Sequence, residues 1–254
     1  MLVRTRVLRV TVAVFALPLC PPPLHGAAHA GPDSLGYEAR WRRAIELVDL
    51  GKQIPDAVES PTRDSLYALA ERHAARAVAA NPLGADGHFA LALAIGHAAL
   101  SASREERIRR ATEIRTEALA AIELDPRHDG AYHVLGRWNA EIMRLSGFSR
   151  FLARRFLGAG VFRYASWAGA IECLERAVQL DPSRIYHHLD LAEVYIDRKR
   201  WGDARAELEA VAALPERDVL DSAYKIRAAE LLERIETGPG PDSLPRGEVR
   251  PLAS

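Results

Sequence analysis

Apolar and polar positions follow one another along this chain with the period of an amphipathic helix, and the same helix ending recurs. "AARAVAANP" (74–82), "EALAAIELDP" (117–126) and "LERAVQLDP" (174–182) each close an apolar stripe with a proline. Each also carries alanine five residues before that proline, at Ala77, Ala121 and Ala177. A looser fourth ending is "ELEAVAALP" (207–215). Proline has no N–H to continue a helix and pushes the residue before it out of helical geometry, so the four prolines predict four helix ends. Long β-branched runs are absent, and the pattern predicts an all-α chain.

The endings resemble those of the tetratricopeptide repeat (TPR), a helix–turn–helix unit of about 34 residues. Placing each proline at repeat position 32 puts Leu91, Leu135 and Leu191 at position 7 of the following unit, and Ala92, Gly136 and Ala192 at position 8. Ala70 and Ala204 fall at position 20. Small residues at positions 8 and 20 are expected where helix A crosses helix B, since a larger side chain would push the two backbones apart. This accounts for Gly136, which sits inside the apolar stretch "AYHVLGRWNAEIMRL" (131–145). A glycine within a helix costs about 1 kcal/mol relative to alanine, and close packing offsets that loss.

Pro182 and Pro215 lie 33 residues apart, close to one repeat. The interval from Pro82 to Pro126 has room for ten more residues, which "SASREERIRR" (101–110) absorbs as a longer turn or longer helices. The interval from Pro126 to Pro182 is longer still, and most of its excess lies in an insert at 143–166. The expected architecture is an α-solenoid of about four TPR-like units, 33–82, 85–126, 129–182 and 185–215. A capping helix at 218–237 follows, with Leu220, Tyr224, Leu231 and Ile235 at helical spacing.

The first thirty residues read as an export signal. Arg4, Arg6 and Arg9 precede the apolar run "VTVAVFALPL" (10–19), and "AHA" (28–30) places small residues before a cleavage point after Ala30. "LPLC" (17–20) is a weaker lipoprotein signal because Leu19 stands where a small residue is wanted. An arginine-rich transit peptide is the other alternative, and the compact apolar run before "AHA" fits secretion better. The domain reading is therefore 1–30 leader, 31–236 solenoid with the insert at 143–166, and 237–254 a Pro/Gly-rich disordered tail. The expected location is periplasmic or extracellular.

Lys plus Arg and Asp plus Glu both number 34, so no global field draws the chain to nucleic acid. Cleavage after Ala30 would remove Cys20 and leave Cys173 alone, a small apolar residue in a helical pattern. His187 and His188 are adjacent and point to different sides of a helix, so they do not form a zinc pair. His-Glu-x-x-His, paired cysteines, an EF-hand loop, Gly-x-Ser-x-Gly, Walker A and the dinucleotide fingerprint are all missing from the sequence. The expectation is no enzyme, no cofactor and no metal.

The insert is the most unusual stretch. Between Glu141 and Glu172 it has no acidic residue but carries Arg144, Arg150, Arg154, Arg155 and Arg163, with Phe148, Phe151, Phe156 and Phe162. Its phenylalanines are expected to cover the repeat core; Arg150, Arg154, Arg155 and Phe156 are the candidates for a surface that touches a membrane or a partner. The inner, helix A face of the stack is the other candidate site. In the repeat register it presents Phe89 and His97, then His133, Arg137 and Glu141, then Tyr186, Glu193 and Asp197. Mixed charge with aromatics suits a protein or peptide.

One family carries these features together. "HVLGRW" (133–138), then "LSGFSRFLARRFLG" (145–158), then "ASWAGAIECLERAVQLDP" (165–182) resembles the TPR region of the regulator of microtubule dynamics family. The likeness rests on His133, Gly136 and Trp138; on Arg150, Ala153, Arg154 and Phe156; and on Ala170, Leu174, Arg176, Ala177, Asp181 and Pro182. It extends over roughly 37–236. The resemblance implies a non-enzymatic helical adaptor, and eukaryotic relatives are associated with microtubules and organelle membranes. The leader is the departure from that pattern. It places the protein outside the cytoplasm, so the resemblance carries the fold better than the partner.

Overall fold

Helix boundaries in this chain follow from its turn chemistry. The computed structural model describes residues 35–55, 59–156 and 160–237, without the side chains of Arg104, Leu152, Arg154 and Phe156. The expected leader, and the tail beyond Thr237, lie outside the described residues. Ten α-helices run in order among the described residues: α1 (Tyr37–Lys52), α2 (Pro61–Ala80), α3 (Ala85–Ala98), α4 (Arg104–Leu124), α5 (Asp129–Arg144), α6 (Gly147–Phe156), α7 (Trp167–Leu180), α8 (Ile185–Asp197), α9 (Trp201–Ala213) and α10 (Asp221–Thr237). A 3-10 turn at Gly160–Tyr164 lies between α6 and α7.

Three of the predicted endings stop their helices by one device. Asn81, Asp125 and Asp181 each accept a hydrogen bond from the N–H two residues on, those of Leu83, Arg127 and Ser183, at 3.2, 2.9 and 3.0 Å. The intervening proline has no N–H to miss, and the side-chain oxygen replaces the next helical turn. Helix starts are fixed as regularly. Ser60, Ser103 and Ser166 cap α2, α4 and α7 through their hydroxyls, with Pro61 at the first turn of α2. His128 caps α5 with its ring Nδ1, which accepts from the Ala131 N–H at 3.1 Å.

The helices pair as the repeat register predicts: α1 with α2, α3 with α4, α5 with α7, α8 with α9, and α10 as the cap against α8 and α9. The excess in the second unit lengthens α4, and the excess in the third becomes α6 and the 3-10 turn. Positions 8 and 20 meet as expected in the third unit. A Cβ built on Gly136 would lie 2.6 Å from Leu174 Cγ and 3.2 Å from the Ala170 carbonyl oxygen. Trp138, two residues on, is buried and donates its indole N–H to the Ala111 carbonyl at 2.7 Å. It packs with Ala153 and Phe162 of the insert segment.

The core is a chain of four clusters. One joins α1, α2 and α3 around Leu47, Val48 and Tyr67; the next joins α3, α4, α5 and the insert around Ile95, Trp138 and Phe162. A third joins α5, α7, α8 and α9 around Leu174, Leu191 and Val194; the last joins α8, α9 and α10 around Leu189, Leu208 and Leu231. Each helix pair shares its core with the next, as in a stacked repeat. Among the described residues no helix is long and apolar enough to cross a membrane.

Candidate functional site

The first helix of each unit turns one face toward a shared cavity of about 310 Å³. Its walls are apolar and aromatic: Ile45 from α1, Phe89 and Leu93 from α3, Val134 and Trp138 from α5, Tyr186 from α8 and Tyr224 from α10. Asp49, Lys52, His97, His133, Arg137 and Arg184 place polar groups in the same lining. The first and last helices meet here, since Lys52 Nζ lies 5.2 Å from the centre of the Tyr224 ring. Gly130 leaves room for the Phe89 ring at the start of α5, since a Cβ there would fall 2.7 Å from the ring.

Beside the cavity runs a continuous polar chain. His187 Nε2 lies 2.9 Å from Asp129, its Nδ1 lies 3.0 Å from His133 Nδ1, and His133 Nε2 lies 2.9 Å from Asp190. Three contacts in series call for three protons on four ring nitrogens, whereas two neutral imidazoles carry two. With both rings neutral, one contact therefore sets a lone pair against an acceptor. Burial favours neutrality at His187 and lowers its pKa to about 4, against the pull of Asp129.

Asp190 is 2% exposed and passes the chain on to Arg137, which donates to it through Nη1. Burial alone would raise the Asp190 carboxyl, but Arg137 and His133 hold it well below the usual carboxylate range. Burial likewise works against the Arg137 charge, and Asp190 more than restores it. The ladder continues through Glu141 and Arg144 to Asp197, with Arg144 Nη2 2.8 Å from Asp197 Oδ2. Glu193 joins through Arg227 of α10 at 3.4 Å. Burial raises the carboxyls of Glu141 and Asp197 despite these arginines.

The predicted inner-face residues thus divide into two groups. Phe89, His97, His133, Arg137 and Tyr186 line the cavity; Glu141, Glu193 and Asp197 belong to the ion-pair ladder beside it. Arg137 is committed to the chain's own Asp190, so its guanidinium is not an open carboxylate receptor. His187 turns to the inner face and His188 to Glu207 on α9, as their adjacency predicts. Sequence reasoning missed Lys52, Asp49 and Tyr224, which come from the degenerate first unit and the cap.

The insert candidates separate as well. Arg150 is half-buried and donates to the carbonyls of Met143 and Leu145, so it closes the end of α5 rather than forming an open surface. Arg155 is exposed, and the side chains of Arg154 and Phe156 lie outside the description. Of the insert phenylalanines, Phe162 enters the core as expected, whereas Phe148 and Phe151 are 71% and 59% exposed. Those two do not cover the repeat core. Cys173 is half-buried, and burial pushes its thiol up to about 11. Among the described residues, no group of three or more His, Cys, Asp or Glu side chains is placed to hold a metal ion.

Comparison with known proteins agrees with the family resemblance. The sequence model of a family described as "Regulator of microtubule dynamics protein 1-3" matches residues 29–236. No curated protein matches the chain. A solved structure titled "Functional Characterization of Pseudomonas Aeruginosa pilF" is similar over 78% of this chain and 87% of that chain, at 17% identity and a TM-score of 0.28. The solenoid assignment rests on the helix pairs described above and not on that likeness.

Proposed function

The chain belongs to the regulator of microtubule dynamics family, matched over residues 29–236, and from that premise we propose that it is an exported, non-enzymatic scaffold. It holds a protein or peptide against the inner face of its A helices. A TPR-like stack suits protein interaction because each unit adds one more helix to a continuous surface. The observation that carries this reading is Val219, which lines the inner cavity with Arg184 and Asp218 and is 68% exposed. An exposed apolar side chain beside charged ones is the composition of a contact surface with a polar rim. The leader supports export, and the family match begins only at residue 29, near its end.

A photo-crosslinking residue at Val219 tests the scaffold reading, with the same residue at exposed Glu209 on α9 as control. The expected result is a defined protein joined to position 219 and not to 209. Equal labelling at both positions, or none, would refute it. N-terminal sequencing of the exported protein is expected to begin at Gly31.

Phe148 and Phe151 favour a second reading, in which α6 rests on an anionic membrane surface. Phe148→Ser/Phe151→Ser is then expected to abolish flotation with anionic vesicles and leave the melting temperature unchanged. A wild-type chain that does not float ends that reading.

A further inference from the structure

The cavity contains one cation without a counter-ion. Among the described residues, Lys52 makes neither a hydrogen bond nor an ion pair; its ammonium lies against the Tyr224 ring. Lys52 is half-buried, and a cation–π contact replaces only part of the stabilisation that an ion pair would give. Apart from Asp49, the other charges of the lining are compensated within the chain. Arg137 holds Asp190, Arg184 pairs with Asp218 at 3.0 Å, and Asp221 accepts the backbone N–H groups of Arg217 and Asp218. Asp49 shares α1 with Lys52, three residues away, but does not approach within ion-pairing distance.

Two further polar groups of the lining are unsatisfied. His97 is 6% exposed and Tyr224 7%, and both line the cavity. His97 Nδ1 and the Tyr224 hydroxyl are buried without a hydrogen-bond partner. A buried polar group without a hydrogen-bond partner opposes the folded state. Lys52, His97 and Tyr224 share this lining with Phe89, Trp138 and Tyr186.

We propose that this cavity is a binding site for a compact aromatic monocarboxylate, with Lys52 holding the carboxylate and the aromatic walls of α3, α5 and α8 holding the ring. The volume sets the size of the ligand, since about 150 Å³ takes a benzene and the cavity has roughly twice that. A bicyclic ring with a short acidic arm fills the space. Burial lowers the Lys52 pKa, against the pull of Asp49, and a bound carboxylate restores the charged form. Asp49 is the ligand's internal competitor for the same ammonium. The site shares its cavity with Val219 but does not rest on the scaffold reading, and loss of the crosslinked partner would leave it standing.

Calorimetric titration of the full mature chain with indole-3-acetate and with its primary amide tests the proposal. The acid is expected to bind at least tenfold more tightly than the amide. Lys52→Met is expected to abolish that preference. Asp49→Asn is expected to tighten the acid several-fold and leave the amide unchanged. Leu93→Trp, which fills the cavity, is expected to remove binding of both, with circular dichroism confirming that the helices persist. Equal binding of acid and amide by the wild type, a preference that survives in Lys52→Met, or no binding of either at millimolar concentration would overturn the proposal.

Discussion

Gly136 shows how a single residue is chosen by what lies opposite it. Alanine is the better helix former by about 1 kcal/mol, so Gly136→Ala would stabilise an isolated α5. In the folded chain the new methyl meets the middle of the fully buried Leu174 side chain and a backbone carbonyl, neither of which gives way easily. Overpacking of this kind costs about 1–3 kcal/mol, which exceeds the gain in propensity. Gly136→Ala is therefore expected to lower stability by about 1–2 kcal/mol in urea denaturation. Gly96→Ala is the control. Its Cβ would approach nothing nearer than Ile114 Cδ1 at 4.0 Å, and it is expected to stabilise by up to about 1 kcal/mol. Stabilisation by both would refute the packing account. Gly136 was legible in the sequence because the repeat register assigns it a facing partner. Lys52 was not, since α1 ends in no register proline and nothing local shows which side chain the last helix will meet.

At the scale of elements, the same register contains a pairing that sequence reasoning passed over. His88 and His188 both occupy repeat position 4, with Glu117 nine residues before Pro126 and Glu207 eight before Pro215. His88 reaches Glu117 at 2.6 Å and the Pro82 carbonyl at 2.9 Å; His188 reaches Glu207 at 2.6 Å and the Pro182 carbonyl at 3.0 Å. Each histidine ties helix A to helix B and to the preceding turn. The third unit carries Tyr132 and Cys173 in the corresponding places and lacks the tie. Burial opposes charge on His188, but Glu207 and the Pro182 carbonyl outweigh it and raise its pKa. A raised folded pKa stabilises most below the unfolded value of about 6.5, and that contribution disappears as pH rises through the folded value. Glu207→Gln is accordingly expected to cost about 1–3 kcal/mol near roughly pH 5.5 and much less near roughly pH 9, read from urea denaturation at each pH. A loss independent of pH would show that the pair acts without the imidazolium. The cross-repeat contact of His133 with His187 was harder to foresee, because it depends on how successive A helices are offset and not on one unit's own spacing.

For the molecule as a whole, the four core clusters matter more than any single contact. Neighbouring clusters share helices, but the cluster around Leu47 and the cluster around Leu231 share none. Stability in such a stack is close to a sum of unit and nearest-neighbour contributions, so a loss at one end need not reach the other. Leu231 is 4% exposed in the last cluster, and truncating a buried leucine to alanine costs about 2–5 kcal/mol. Leu231→Ala is expected to speed amide hydrogen exchange throughout α8, α9 and α10 while leaving α1 and α2 unchanged. Among the described residues the two ends meet at the inner cavity, where Lys52 lies on Tyr224. A cavity ligand held by Lys52 of α1 and walled by α10 would join the two ends, and in its presence the exchange of α1 should begin to follow the mutation in α10. Uniform acceleration across all ten helices in the empty protein would instead mean that the stack unfolds as one unit, and the independence of its ends would fall with it.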